Sequence, residues 1–229
     1  MKKLVIIPAY NEEASIRATV ESIVKHAPGF DYVVINDCSK DGTLEVLRQN
    51  GYRHVDLPVN LGIGGAVQTG YLYGYMNGYD LAVQMDGDGQ HNPEYLEEME
   101  RTLLTNGASM VIGSRFITKE GFQSSALRRV GIRYFYGLIK LLTGRDITDP
   151  TSGMRMVDRD TMKLFAEDYP RDYPEPESVV RILKQGKKVV EMPVIMNERT
   201  EGKSSIHGLK SVYYMIKVSM AIMIASIKA

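Results

Sequence analysis

Residues 81–91 read Leu-Ala-Val-Gln-Met-Asp-Gly-Asp-Gly-Gln-His, an apolar run followed by two carboxylates with one glycine between them. The run Leu81–Met85 predicts a short buried strand, and the Asp-Gly pairs after it predict a turn. Asp86 and Asp88 thus follow a strand end, where glycine lets the backbone approach a ligand closely. Two carboxylates with few other donors suit Mg²⁺ or Mn²⁺, which complete their shells with water and substrate phosphates. A plain Asp-Gly turn without a metal is the alternative.

The first half of the chain alternates between strand-like and helix-like patterns. Short apolar runs predict strands at Leu4–Ile7, Tyr32–Ile35, Val55–Leu57, Leu81–Met85 and Met110–Ile112. Helical spacing of apolar residues predicts a helix at Ala14–Val24, and Leu44–Leu47 opens a second one. Two more helices are predicted at Gly64–Tyr75, which is rich in small and aromatic residues, and at Pro93–Leu104, which has an acidic start. This alternation predicts an α/β fold with a mostly parallel central sheet flanked by helices. Ligands of such sheets bind beyond the carboxyl ends of the strands.

The composition fits one large domain and excludes several classes of protein. The 229 residues carry 28 basic and 28 acidic side chains, so we do not expect a nucleic-acid binder. The single cysteine, Cys38, rules out an internal disulfide framework and a multi-cysteine zinc site. The first apolar run is too short for a signal peptide, which predicts a cytoplasmic protein. The apolar stretch Val212–Ile227 would reach about 24 Å as a helix, short of the roughly 30 Å of a bilayer core.

Polar turns also follow three other predicted strands. Residues 8–13 read Pro-Ala-Tyr-Asn-Glu-Glu, residues 36–43 read Asn-Asp-Cys-Ser-Lys-Asp-Gly-Thr, and residues 60–65 read Asn-Leu-Gly-Ile-Gly-Gly. Each turn alone has a simple structural explanation, such as capping of the helix that follows. Their placement at successive strand ends instead predicts a shared ligand-binding edge of the sheet.

Together with Gly-Ser-Arg-Phe at residues 113–116, these motifs have the order and spacing found in family 2 glycosyltransferases with the GT-A fold. The chain most resembles the dolichol-phosphate-mannose-synthase-like and bacterial polyprenyl-phosphate branch. The resemblance implies a GT-A domain at 1–200, with a nucleotide-sugar half at 1–115 and an acceptor half at 116–200. Residues 201–229 would form a linker and a C-terminal amphipathic helix, apolar with a basic stripe.

The resemblance also implies roles for individual side chains. The positions that hold the base and ribose of the nucleotide are matched by Pro8, Tyr10, Glu12 and Asp37. Asp86 and Asp88 match the motif that holds metal and diphosphate, with Gln90 beside it. Arg115 matches an arginine that faces phosphate near the reaction centre, and Arg199 one that closes over the diphosphate.

The implied reaction is inverting transfer of a hexose or N-acetylhexosamine from a nucleotide sugar, with UDP preferred as the nucleotide. Departure of the nucleoside diphosphate develops negative charge, which Mg²⁺ or Mn²⁺ and guanidinium groups stabilise. The implied acceptor is polyprenyl phosphate at the inner face of the cell membrane, for cell-surface glycan assembly.

Two stretches favour such a lipid acceptor. Residues 123–145 contain five basic side chains and no acidic one, and helical spacing brings Arg129 and Arg133 to one face. We expect these two arginines to hold the acceptor phosphate. Residues 208–229 predict a helix with a narrow basic stripe and a broad apolar surface, suited to a membrane surface. A helix that docks on the catalytic domain, or pairs in a homo-oligomer or with a small membrane protein, is the alternative.

Other residues leave the acceptor and the activity open. Glu175 lies where hydroxyl-glycosylating relatives carry a general base, which an ionised phosphate acceptor does not need. Asp149 is a second acidic candidate on the acceptor side, with a turn cap as the alternative. His91 either joins the metal shell or serves as a loop histidine. The alternative functions are therefore transfer to a sugar hydroxyl of a surface polysaccharide with Glu175 as base, and a nucleotide-sugar-binding scaffold without turnover.

Overall fold

The computed structural model describes residues 1–118, 120, 126–197 and 209–228. Its strands are β1 Lys3–Ala9, β2 Asp31–Asn36, β3 His54–Asp56, β4 Leu81–Gln84, β5 Met110–Ser114, β6 Arg155–Asp158 and β7 Val189–Pro193. Its helices are α1 Ile16–His26, α2 Thr43–Gln49, α3 Gly62–Met76, α4 Leu96–Asn106, α5 Ala126–Thr143, α6 Arg159–Glu167, α7 Pro174–Lys184 and α8 Leu209–Lys228. The predicted alternation of strands and helices is confirmed.

The strands form one seven-stranded sheet in the order β3-β2-β1-β4-β6-β5-β7. β6 runs antiparallel to its neighbours β4 and β5, and the other pairings of the described strands are parallel. Arg155, the first residue of β6, therefore lies opposite Gln84 and Ile112 near the carboxyl ends of β4 and β5. This reversal brings the loop before β6 to the edge of the sheet where the acidic turn follows β4.

Apolar side chains cover both faces of the sheet. In β1, Leu4 and Ile6 pack into the cluster that includes α3, α5, α6, α7 and α8. Val5 and Ile7 point to the opposite face and pack with α1 and α4, because successive side chains of a strand alternate. The charged and amide side chains of β1 to β6 lie at the strand ends, whereas Glu191 lies in the middle of β7.

Two elements in the second half have no counterpart among the predicted elements. β6 is only four residues long and begins with a buried arginine, so its sequence lacks the apolar run of a typical strand. α7 carries Pro174 and Pro176 in its first turn, where a missing backbone N–H costs no helical hydrogen bond. The sequence also predicts a helix near 158–166 and a strand at Val189–Ile195, and the structure confirms both with small changes of boundary.

The C-terminal helix α8 packs on α5 and α7. Val218, Ile222 and Ala225 are buried on one side of α8, and the ring of Tyr214 contacts Phe135 and Tyr173. Through this face α8 docks on the rest of the domain, as the alternative prediction for this helix states. None of the described helices is both long enough and apolar enough to cross a membrane. The linker predicted before α8 falls outside the described residues.

Candidate active site

The loops that follow β1 and β2 are joined by hydrogen bonds. The backbone N–H of Asn11 donates to Ser39 Oγ at 3.0 Å, and that of Lys40 donates to Asn11 Oδ1 at 2.8 Å. The backbone N–H of Glu12 donates to Thr43 Oγ1 at 2.9 Å. Asn11 has a φ of 57°, a left-handed conformation that non-glycine residues seldom adopt outside functional sites and tight turns. The last residues of β1, which include Pro8, and the turn that carries Tyr10 and Glu12 are therefore held in one shape.

Asp37 is buried beside this turn and fixes the start of α3. Its backbone N–H donates to Ala9 O at 2.9 Å, and its carboxylate accepts the backbone N–H of Leu61 at 2.6 Å. Burial raises the pKa of Asp37, and the hydrogen bonds from the backbone of Leu61 and Gly62 oppose that shift. The structure thus brings Pro8, Tyr10, Glu12 and Asp37 to one end of the sheet, next to the glycine-rich start of a helix.

The acidic turn after β4 packs against the same edge. Asp88 is 8% exposed, and its Oδ1 accepts the backbone N–H of Gln90 at 3.1 Å. A Cβ on Gly87 would lie 3.2 Å from Pro8 O, so glycine permits this close contact between the turn and the end of β1. The side chain of Asp86 is 39% exposed, so one of the two carboxylates is more open to solvent than the other.

Three neighbours confine Asp86. Gln84 Nε2 lies 3.3 Å from Asp86 Oδ1, and the backbone N–H of Asp86 donates to His91 Nδ1 at 3.0 Å. His91 Nε2 lies 3.9 Å from Asp86 Oδ2. A Cβ on Gly153 would lie 3.0 Å from Asp86 Oδ2, so the loop before β6 leaves no room for a side chain here.

Arg115 and Asp149 form a buried ion pair. Arg115 Nε donates to Asp149 Oδ2 and Arg115 Nη2 donates to Asp149 Oδ1, both at 2.7 Å. The loop around Asp149 is held in turn by Glu191, whose carboxylate accepts the backbone N–H groups of Thr148 and Asp149. Burial raises the pKa of Glu191 despite those hydrogen bonds. Because both oxygens of Asp149 accept from Arg115, the geometry suits orientation of the guanidinium better than acid–base chemistry by Asp149.

Arg155 links the Asp149 loop to the start of α7. This side chain is fully buried, and its guanidinium donates to the carbonyls of Ser152, Pro150 and Glu175. Glu175 is the second residue of α7, it is partly exposed, and its backbone carbonyl accepts a hydrogen bond from Arg155. The structure therefore places the proposed general base beside the loop that carries Asp149 and Gly153.

The two proposed acceptor arginines lie on α5. Arg129 is partly buried and engaged by other groups, whereas Arg133 is exposed. Arg115 and Asp149 flank the segment that contains α5, and their ion pair joins the two ends of that segment. Arg199, predicted to close over the diphosphate, lies outside the described residues.

The residues at the acidic turn fit a hard divalent cation. In the part of the chain that is described, no cluster of three or more His, Cys, Asp or Glu side chains offers a complete metal site. Asp86, Asp88 and the amide oxygen of Gln90 would instead supply a partial set of oxygen ligands. Mg²⁺ and Mn²⁺ accept such sets, because water and substrate phosphates complete the shell.

Several positions that shape this site were not singled out from the sequence. Gly153, Arg155 and Glu191 act through contacts with residues distant in sequence, whereas Gln84 contacts Asp86, two residues along the chain. A lone glutamine at a strand end and a lone arginine in a short strand carry no local signal of such a role. Only Gly153, in the Thr-Ser-Gly turn after Pro150, had a recognisable local pattern.

Comparisons with known proteins agree with this architecture. Residues 4–165 match the family model described as glycosyl transferase family 2. The undecaprenyl-phosphate mannosyltransferase of Micrococcus luteus is 31% identical, covering 91% of this chain and 88% of the relative. The UDP-N-acetylglucosamine–dolichyl-phosphate N-acetylglucosaminyltransferase of Methanococcus voltae is 28% identical, covering 94% of this chain and 95% of the relative.

A solved structure shares the fold. Glucosyl-3-phosphoglycerate synthase from Mycobacterium tuberculosis, crystallised with Mn²⁺, UDP and phosphoglyceric acid, superposes with a TM-score of 0.73 at 20% identity. The superposition covers 98% of this chain and 78% of that one. The sheet, its acidic turn and these similarities define a glycosyltransferase with the GT-A fold. The chain belongs to glycosyl transferase family 2, as its motifs predict.

Proposed function

We propose that the protein transfers a hexose or N-acetylhexosamine from a nucleotide sugar to polyprenyl phosphate, with inversion at the anomeric carbon. The product would serve cell-surface glycan assembly. The names of the relatives support this choice of acceptor, since one is named for undecaprenyl phosphate and another for dolichyl phosphate. We favour UDP as the nucleotide, because it appears in the name of the second relative and in the crystals of the structural neighbour.

The proposed roles follow from the positions of the side chains. The turn at Pro8–Glu12 and the buried Asp37 would hold the nucleotide, and Asp86, Asp88 and Gln90 would hold Mg²⁺ or Mn²⁺. Such a cation neutralises charge that develops on the departing diphosphate. Arg115, oriented by Asp149, would add a guanidinium to the same stabilisation. We propose that Arg199 closes over the diphosphate, as the resemblance implies.

One observation carries the choice of a lipid acceptor: α5 and α8 expose a broad apolar surface that includes the basic side chain of Arg133. We define the α5–α8 surface by its exposed residues Val130, Arg133, Tyr134, Leu141, Tyr213, Ile216, Met220, Met223, Ile224 and Ile227. On α8 these residues lie opposite the buried Val218 and Ile222, as expected at 3.6 residues per turn. The hydroxyls of Tyr134 and Ser219 are 3.1 Å apart, which makes the two helices adjacent.

The charge of the α5–α8 surface suits an anionic membrane. Neither α5 nor α8 contains an acidic residue, and although Lys140 pairs with Asp146 and Lys217 with Asp172, Arg133 remains exposed on this surface. An apolar helix face with flanking basic groups binds in the plane of a membrane by burying its apolar side chains near anionic head groups. We therefore propose that the protein sits at the inner face of the membrane through this surface, with Arg129 and Arg133 nearest the lipid phosphate.

A second candidate function is transfer to a sugar hydroxyl of a surface polysaccharide. The observation in its favour is the position of Glu175, which Arg155 holds beside the Asp149 loop. A hydroxyl must lose a proton as it attacks, whereas a phosphate is already ionised. The scaffold without turnover loses support from membership of a glycosyltransferase family.

The nature of the acceptor is tested by following labelled sugar. We expect membranes that contain the protein, given radiolabelled UDP- or GDP-sugars with Mg²⁺ or Mn²⁺, to form an organic-extractable lipid labile to mild acid. We expect Glu175→Gln to retain this activity within about threefold, because a phosphate acceptor needs no base. Membranes without the protein are the control. Label found only in polymeric or water-soluble material, with a loss of orders of magnitude in the Glu175 variant, would favour the hydroxyl acceptor.

Membrane contact through the α5–α8 surface is tested with vesicles. We expect the double change Met220→Glu and Met223→Glu to weaken co-flotation with phosphatidylglycerol-containing vesicles by at least about tenfold, since both side chains would otherwise be buried in the interface. Met76→Glu is the matched control, because Met76 is 75% exposed at the far end of α3. Equal flotation of the parent and the double variant would show that α8 does not contact the membrane.

A further inference from the structure

His91 contacts the backbone and approaches the carboxylate of the same residue, Asp86. The imidazole is buried, and its Nδ1 accepts the backbone N–H of Asp86 at 3.0 Å. Its Nε2 lies 3.9 Å from Asp86 Oδ2. The loop before β6 packs closely against the edge of the imidazole, since a Cβ on Gly153 would lie only 3.3 Å from His91 Cε1.

These contacts determine which nitrogen of His91 carries the proton. Nδ1 faces a backbone N–H, so it must offer a lone pair rather than a hydrogen. The neutral ring therefore has its proton on Nε2, the nitrogen on the side of Asp86 Oδ2. A nitrogen that carries a proton cannot ligate a metal. The geometry thus argues against the sequence-based alternative in which His91 joins the metal shell.

We propose that His91 is a positioning residue that holds Asp86 in the orientation needed to bind the divalent cation. The backbone hydrogen bond fixes the start of the acidic turn, and the buried imidazole packs beside Oδ2, with Nε2 3.9 Å away. Gln84 Nε2 lies 3.3 Å from the other oxygen, so the carboxylate has a hydrogen-bond donor on one side and the imidazole packed on the other. This inference rests on the proposed function, which assigns the cation to Asp86 and Asp88.

A residue that orients a metal ligand without binding the metal itself has a measurable effect on metal affinity. Groups that orient metal ligands through hydrogen bonds change metal affinity by about 10–100-fold when they are removed. Because His91 would act through Asp86 rather than on substrate, its loss should appear as weaker metal binding. An asparagine at this position can offer its Oδ1 to the backbone N–H of Asp86 in place of Nδ1.

The first measurement is the tautomer of His91 in the metal-free protein. Two-bond proton–nitrogen correlation spectra at neutral pH are expected to show the pattern of a ring protonated on Nε2, and His91→Asn identifies the signal. A ring protonated on Nδ1 would overturn the inference whatever the fate of the proposed reaction.

The second measurement is the affinity for Mn²⁺ in the presence of UDP or GDP, followed by electron paramagnetic resonance. We expect His91→Ala to bind Mn²⁺ about 10–100-fold more weakly than the parent, and His91→Asn to recover most of that loss. His54→Ala, which changes a histidine on the edge strand β3, should match the parent. Should His91→Ala fail to fold, His91→Asn and His91→Gln carry the comparison, because only asparagine replaces the Nδ1 acceptor.

Two outcomes contradict the inference in different ways. Equal Mn²⁺ affinity of the parent and the alanine or glutamine variant would overturn the role of His91 and leave the proposed function standing. Absence of Mn²⁺ binding by the parent with either nucleotide would overturn the metal site itself, and with it both proposals.

Discussion

Replacing Asp88 with alanine is expected to lower turnover by about a thousandfold or more while leaving the fold intact. The change removes one proposed cation ligand from a turn, where the carboxylate contributes little apolar core volume. Electrostatic stabilisation by a bound cation amounts to several kcal/mol, and about 4 kcal/mol corresponds to a thousandfold in rate. The measurement is sugar transfer by purified protein, with circular dichroism to confirm the fold.

The control for this experiment is Asp160→Ala, which removes an exposed carboxylate from the first turn of α6. We expect that variant to retain near-parental activity. Turnover by Asp88→Ala within tenfold of the parent would contradict the proposed metal-dependent mechanism.

Replacing Asp149 with alanine is expected to cost about 3–5 kcal/mol of the free energy of unfolding, because it leaves the buried guanidinium of Arg115 without its counter-charge. Both members of this pair are almost completely buried, with side-chain exposures of 7% for Arg115 and 0% for Asp149. Urea unfolding monitored by circular dichroism measures the loss. A decrease below about 1 kcal/mol would mean that the pair is not essential to the fold.

A double variant separates stability from catalysis at this pair. Arg115→Met combined with Asp149→Leu replaces two buried charges by apolar side chains of similar size, a change that is often neutral or stabilising. We expect it to regain most of the stability lost in Asp149→Ala and to remain inactive. Recovery of activity along with stability would show that Arg115 has no direct role in the reaction.

The sequence was most informative about the first half of the chain. The apolar run before Asp86 and the polar turns after β1 and β2 are local signals. The residues of that apolar run are buried in the sheet, as the pattern predicts. The same turns carry the motifs of the family, so the sequence alone assigns Pro8, Asp37 and Asp86 to one edge of the sheet.

The second half depends on contacts that no local pattern reveals. Arg115 and Asp149 were each singled out, yet their pairing across 34 residues became visible only in the fold. The sequence does not predict β6, because the carbonyl that helps to compensate its buried arginine belongs to Glu175 in α7, 20 residues away. Likewise, the orientation of His91 depends on the backbone of Asp86, and a sequence does not show which ring nitrogen faces that backbone.

The ion pair between Arg115 and Asp149 also has an evolutionary consequence. Arg115 and Asp149 fix the two ends of the segment that carries α5, while Phe135 and Ile139 anchor α5 in the core. The exposed side chains described on α5, by contrast, contact neither the ion pair nor the turn at Asp86 and Asp88. We therefore expect enzymes of this architecture to diversify the molecules they glycosylate by changing the exposed face of this helix while their sugar-donor chemistry stays the same.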